Sequence, residues 1–288
     1  MTSDDRKGKE AISMNDAIEV KNLKKSYGNH VVLAGLNFSV RHGEIFALLG
    51  TNGAGKTTTL ECIEGLRKYD SGSITVNGKM GIQLQSASLP EHIRAMEAIR
   101  LFAGWNKVTV DPAMLNRLGI NDISQKQYYQ MSTGQKRRLH LALAMIRNPD
   151  IIFLDEPTAG LDVEGRTALH EVIRLLKTQG KTIILASHDM AEVESLCDRI
   201  AILTEGAIAF TGTVSELRCV TGRHYKIIIE TNIGTKCFEC DNIGKALSAV
   251  LQEIEEQDLT ILDIRIDSGS LEQQFMKITK KIKKEISL

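Results

Sequence analysis

The chain has 288 residues, of which 42% are hydrophobic and 25% charged. That is globular composition, with material for one large core or for one large and one small domain. Its 36 basic and 36 acidic side chains cancel, which excludes a global electrostatic attraction to nucleic acid. No apolar stretch approaches the ~20 residues that span a bilayer, and the polar start MTSDDRKGKE lacks the apolar centre of a signal peptide. A cytoplasmic protein is expected, with any membrane role exercised through a partner.

Residues 1 to 15 read as a flexible leader. From Ala17 the chain alternates as strands do, at Ile18–Val20, Val31–Leu33 and Leu36–Val40. Glu44–Leu49 is a mostly apolar run that ends in a glycine-rich turn and then helical text. Two more buried strands are expected at Ile151–Leu154 and Thr182–Ala186. A helix from Asp162 to Thr178, closed by Gly180, separates them. Strand, helix and strand in apolar runs predict an α/β fold with a parallel sheet covered on both faces. Between Ser86 and Arg147 the text is helical, near Pro90–Trp105, Asp111–Leu118 and Thr133–Ile146, which predicts an inserted helical subdomain. After Glu216 it changes again. Strands at Tyr225–Glu230 and Leu259–Ile266, with helices at Ile243–Glu255 and Leu271–Lys284, predict a small α+β accessory domain over 223–288.

Gly50-Thr51-Asn52-Gly53-Ala54-Gly55-Lys56-Thr57 satisfies GxxxxGK[ST] in full. Each part has a physical task. The glycines let successive N–H groups turn inward on phosphate oxygens, and the helix that follows, through Thr58, adds its positive end. Lys56 neutralises β- and γ-phosphate charge, and the Thr57 hydroxyl suits Mg²⁺. The run Ile151–Leu154 ends in Asp155-Glu156. A buried strand that delivers carboxylates at its C-terminal end sets them beside the phosphate loop. Asp155 then fits the Mg²⁺ shell, and Glu156 can orient or deprotonate an attacking water. His188 follows the Thr182–Ala186 strand and falls at the same sheet edge, in reach of a γ-phosphate.

The five cysteines are Cys62, Cys197, Cys219, Cys237 and Cys240. An odd count argues against a disulfide framework. Cys237 and Cys240 have CxxC spacing, but no second ligand pair lies nearby, so a structural role is expected.

Met131-Ser132-Thr133-Gly134-Gln135, followed by KRRLHLALAMIRNPD and the Asp155 strand, resembles the signature of ABC ATPases, usually LSGGQ. The resemblance covers residues 17 to 216 and keeps the family order of motifs. It implies a P-loop NTPase of ABC type over 16–222, a cassette that binds ATP and Mg²⁺ and hydrolyses ATP. Tyr27 matches the aromatic that stacks on adenine, and Gln85 the Q-loop glutamine, which adds to the metal set of Thr57 and Asp155. Ala159-Gly160-Leu161-Asp162 matches the D-loop and His188 the switch histidine. The resemblance further implies two subunits packed head to tail, with each ATP held between the phosphate loop of one and Ser132, Gly134 and Gln135 of the other. Thr133 departs from the usual glycine, whereas Gly134 is kept. The C-terminal segment, with SLEQQFMKIT, resembles that of the drug- and lantibiotic-export branch. An exporter ATPase subunit, peripheral on the cytoplasmic face of the membrane and bound to a separate transmembrane permease, is expected. The competing reading is a soluble single-cassette scaffold. Kinase and GTPase readings are disfavoured by the signature and by the lack of a guanine-reading NKxD.

Overall fold

A computed structural model describes residues 16–83, 88–221, 225–240, 242–257, 259–267 and 271–286. The expected leader, Gln85 and the 222/223 boundary lie outside the described residues.

The chain opens with a hairpin of two long strands, β1 (Asp16–Tyr27) and β2 (His30–Arg41), followed by β3 (Ile45–Leu49), helix α1 (Lys56–Ile63), β4 (Ser71–Val76) and β5 (Met80–Gln83). Helices α2 (Ala95–Asn106), α3 (Pro112–Arg117) and α4 (Thr133–Met145) then precede β6 (Ile151–Asp155). The remainder of the large unit is α5 (Val163–Thr178), β7 (Thr182–Ser187), α6 (Met190–Leu196), β8 (Arg199–Thr204), β9 (Ala207–Gly212) and α7 (Val214–Thr221). Last come β10 (Tyr225–Thr231), β11 (Gly234–Cys240), α8 (Ile243–Glu256), β12 (Ile261–Asp267) and α9 (Leu271–Ile286).

The main sheet has the order β5-β6-β7-β3-β8-β9, parallel except for β9. Every residue of β3, β6 and β7 is buried, which explains their unbroken apolar text. Alternate residues point to opposite faces. Ala47, Leu49, Ile152, Leu154, Ile183 and Leu185 join one core, with helices α2, α4 and α5. Phe46, Leu48, Ile151, Phe153 and Ile184 join the other, with α1 and the antiparallel sheet β2-β1-β4. Phe38 and Phe46 stack between the two sheets at 5.7 Å. Helix α5 buries Leu169, Val172, Ile173 and Leu176, the i, i+3, i+4, i+7 stripe expected of an amphipathic helix, and Gly180 follows it at φ 77°.

The C-terminal segment makes contacts in two directions. Strands β11-β10-β12 form a third sheet that shares a small core of Ile227, Ile229, Val250 and Ile254 with α8. Helix α9 instead sets Leu271, Phe275 and Ile278 into the large core, against α6, α7, β8 and β9. Cys237 is exposed, whereas Cys240 is half-buried and packs against the small core. Three residues apart on a strand, their side chains leave opposite faces of β11. Among the described residues, no group of three or more His, Cys, Asp or Glu is placed to hold a metal ion, and no helix is long and apolar enough to cross a membrane.

Candidate functional site

Strands β3, β6 and β7 run parallel in register, so the turn after Leu49, the carboxylates after Leu154 and the residues after Ser187 emerge at one sheet edge. At that edge Gly53 and Gly55 have φ of 81° and 103°, left-handed values that glycine accepts without strain. A Cβ on Gly50 would lie 2.6 Å from the Leu203 carbonyl oxygen, and one on Gly55 would lie 2.8 Å from Leu33 Cδ2. Here the spacing of the glycines is dictated by packing as well as by the turn.

Lys56 opens α1. Its side chain is buried, and its ammonium donates to the carbonyls of Gly50 (2.8 Å) and Thr51 (3.3 Å). Burial lowers its pKa, while the nearby carboxylates of Glu156 and Asp155 oppose that shift. Thr51, Asn52 and Thr57 are exposed along the loop, Ala54 is buried beneath it, and Thr58 is half-buried. Asp155 is also buried. Desolvation pushes its carboxyl above the usual range, while a hydrogen bond from Thr57 and the Lys56 charge pull it back. Among the described residues Asp155 Oδ1 has no hydrogen-bond partner. A buried carboxylate oxygen without a donor, next to a threonine hydroxyl, is a hard-oxygen donor set that fits Mg²⁺.

Glu156 sits at φ 46°. A non-glycine residue in the left-handed region costs about 1–3 kcal/mol and persists where its surroundings hold it. Here the Glu156 N–H donates to the Ala186 carbonyl (2.9 Å), and Glu156 Oε1 lies 3.0 Å from His188 Nδ1. His188 itself is largely exposed. The structure thus brings Lys56, Thr57, Asp155, Glu156 and His188 to one sheet edge.

Tyr27 ends β1, is 44% exposed, and has the cationic groups of Lys25 and Arg67 each 5.4 Å from its ring centre. A flat, accessible aromatic face of this kind is suited to a base. Gln85 is outside the described residues. Gln83, at the end of β5, is buried, and among the described residues neither polar atom of its amide meets a partner.

Ser132 is the N-cap of α4. Its hydroxyl accepts from Gln135 N–H (3.3 Å), and Gln135 Oε1 accepts from Ser132 N–H (3.2 Å), a reciprocal capping box. Asp162 is the N-cap of α5 and accepts from Gly165 N–H at 2.8 Å, without a reciprocal partner because Gly165 has no side chain. These two helix starts face a common cleft of about 450 Å³, lined by Ser132, Gly134, Gln135, Gly160 and Asp162 among others, to which no residue of the phosphate loop contributes.

Sequence reasoning missed the support behind His188. The Ser187 hydroxyl donates to Glu192 Oε2 (2.6 Å) and accepts from Asp189 N–H (3.0 Å), and Glu192 is 1% exposed. From α5, Arg166 pairs with Asp189 (2.9 Å), and His170 Nε2 lies 3.6 Å from Glu192 Oε1. The helix that begins at Asp162 is thereby tied to the residues on either side of His188. The only sequence signal for this was a carboxylate one helical turn after His188.

A phosphate loop at the tip of a parallel sheet, a carboxylate pair two strands away across β7 and a capped glycine-bearing helix start define a P-loop ATPase of cassette type. Residues 33–159 match the ABC transporter family. An uncharacterized ABC transporter ATP-binding protein of Methanocaldococcus jannaschii is 37% identical, over 71% of this chain and 80% of its own length. The linearmycin resistance ATP-binding protein of Bacillus subtilis is 29% identical over 91% of this chain and 98% of its own. The lantibiotic transport ATP-binding protein of Streptococcus pyogenes is 36% identical over 66% and 88%. Among solved structures, an ATP-binding subunit of an ABC transporter superposes with a TM-score of 0.64 at 29% identity, over 71% of this chain and 92% of its own. The chain belongs to the ABC transporter family as an ATP-binding subunit, an ATP hydrolase that drives transport.

Proposed function

We propose that this chain is the motor subunit of an exporter, held on the cytoplasmic face of the membrane by a separate transmembrane permease, and that two copies close head to tail around two MgATP. The export reading rests on relatives named for linearmycin resistance, lantibiotic transport and daunorubicin resistance. The head-to-tail reading rests on one observation: the cleft holding Ser132, Gly134 and Gln135 includes none of the phosphate loop. Each half is therefore incomplete until a second copy supplies the other. A Cβ at Gly134 would meet nothing closer than 3.8 Å within its own chain. The absence of a side chain there thus answers an approach from outside, such as a γ-phosphate arriving on the partner's loop.

In this reading residues 16–222 form the cassette, with the helices of 86–147 as its inserted subdomain and 223–288 as an accessory segment. Tyr27 stacks on adenine. The backbone from Gly50 to Thr58, with Lys56, holds the phosphates, and the partner's Ser132, Gly134 and Gln135 close over the γ-phosphate. Thr57 and Asp155, with Gln85, would hold Mg²⁺. When bound there, the ion offsets phosphate charge as it develops on the leaving oxygen. Glu156 takes a proton from water as the water oxygen bonds to the γ-phosphorus and the bond to ADP breaks. His188, hydrogen-bonded to Glu156 through Nδ1, keeps that carboxylate aimed and leaves its other nitrogen for the γ-phosphate. The D-loop, through Asp162 and α5, couples to His188 by the Arg166–Asp189 pair.

The test is Glu156→Gln, which keeps the shape of the side chain and loses the base. Turnover should fall by about 10²-fold or more, while MgATP still binds and an ATP-dependent dimer accumulates in size-exclusion chromatography. Near-normal turnover would remove Glu156 from the chemistry. Lost turnover without that dimer would remove the head-to-tail arrangement.

A further inference from the structure

Strand β12 is the outer strand of the third sheet, and among the described residues nothing pairs with its far edge. Open edges are normally blunted by charge, proline or cover. The other edge strand, β11, is blunted in this way. Its Lys236 lies on the α8 face and binds Glu253 and Gln257 of that helix. β12 is different. Leu262, Ile264 and Ile266 are 67%, 38% and 44% exposed, alternating with Asp263 and Arg265. Ile264 and Ile266 pair with Ile229 and Ile227, so they share the face that carries α8. Helix α8 packs on β10 and β11, and of β12 only Ile261 packs against the small core, so among the described residues Leu262, Ile264 and Ile266 stay exposed on that side.

The segment Leu262-Asp263-Ile264-Arg265-Ile266 is complementary to itself. Turned about a two-fold axis through Ile264, an antiparallel copy sets Leu262 opposite the second Ile266, Ile264 opposite its own counterpart and Asp263 opposite the second Arg265. The isoleucines then lie along one face, with Leu262, the unpaired residue of a bulge between Ile261 and Asp263, at the end of the pairing, and two opposite-charge pairs form on the other. No one-residue slip keeps both matches, because it would turn every side chain to the wrong face.

We propose that β12 is a self-pairing edge through which two copies of this chain join into one six-stranded sheet, β11-β10-β12 continued by its two-fold mate. The occupant of the bare strip is a second copy, since a two-fold contact requires a patch complementary to itself and this one is. The contact extends the dimer reading above but needs no nucleotide, which makes the two separable.

The test uses the full chain with the exposed Cys219 and Cys237 replaced by Ser. Ile264→Cys, oxidised without nucleotide, should cross-link into a dimer far more completely than Thr235→Cys on the opposite edge of the sheet. The same result should hold with Lys56→Ala added. Separately, Asp263→Arg should weaken nucleotide-free self-association in sedimentation by roughly tenfold, and Asp263→Arg/Arg265→Asp should restore it. Equal cross-linking at 264 and 235, or a double reversal no better than the single one, overturns the proposal. So does a 264 position shielded only when a membrane protein copurifies, which would give the strip another occupant. If cross-linking at 264 succeeds while Glu156→Gln gains no ATP-dependent dimer, the edge stands and the nucleotide sandwich falls.

Discussion

Lys56 and Glu64 show how burial sets the behaviour of single charges at this site. The Lys56 ammonium is buried and bonded to two loop carbonyls, with the Glu156 and Asp155 charges near enough to act on it. Glu64, just past α1, is affected more strongly. Desolvation first, then the charges of Asp155 and Glu61, push its carboxyl up from 4.5 to about 7. The folded chain therefore keeps a proton that the unfolded chain releases near 4.5. Between those values the native state binds more protons, so stability falls as pH rises, and the penalty is complete above about pH 7. Glu64→Gln cannot ionise. In nucleotide-free protein with chelator it should raise the unfolding free energy at pH 8 by roughly 1–2 kcal/mol, a figure reduced for partial solvent access. At pH 5 the two proteins should nearly coincide in urea titrations. A loss of stability at pH 8 would show instead that the Glu64 carboxylate has a favourable partner.

At the scale of elements, legibility followed the range of the forces involved. Strands β3, β6 and β7 stood out in the sequence because burial on both faces leaves only apolar text, and α5 because its stripe and its Asp162 cap are local. Strand β4, SGSITV, has mostly exposed or half-buried residues, and β5 has only four residues. Neither carries a local signature. The β8–β9 hairpin turns at Glu205-Gly206, with φ of 49° and 75°, but β9 is half-buried without a clean alternation. Long-range pairing, not propensity, makes these strands. Helix α9 teaches the same lesson about docking. Leu271, Phe275 and Ile278 are visibly one helical face, yet nothing local says that this face meets α6 and α7 rather than the small sheet. Phe275→Ala should cost about 3–5 kcal/mol, read as a lower urea midpoint with ATP affinity of the folded protein unchanged. An unaltered midpoint would mean that α9 does not dock. A chain ending at residue 223 loses α9 too, and should be less stable while keeping all of the nucleotide-binding side chains.

The molecule as a whole is half of a machine, if each ATP lies between the phosphate loop of one copy and the signature helix of another. Mixing two inactive variants tests that arrangement. Lys56→Ala should bind no ATP, since the phosphate charge loses its main counter-ion. Gly134→Asp should fold, because a Cβ there has room, but it places a negative charge against the γ-phosphate. Each homodimer then has two broken sites. A mixed dimer has one intact site, formed by the loop of the Gly134→Asp chain and the signature of the Lys56→Ala chain. An equimolar mixture should recover turnover up to about a quarter of the wild-type value if pairing is random. No recovery at any ratio would argue that each site is made within one chain.

By itself the sequence determined the chemistry and its order along the chain. The loop from Gly50 to Thr58, the pair Asp155-Glu156, the capped signature at Ser132 and His188 each depend on neighbours only a few residues away, so local text suffices to write them. The tertiary structure decided which of these groups meet. Parallel pairing of β3, β6 and β7 carries residues more than a hundred positions apart to one edge, and packing sets Glu156 at positive φ against His188. The cleft of Ser132 and Asp162 includes none of the phosphate loop because α4 and α5 pack on one face of the sheet and α1, which follows that loop, on the other. Those separations, and the bare edge at Ile264, come from contacts between distant segments, whose energies no window of sequence contains.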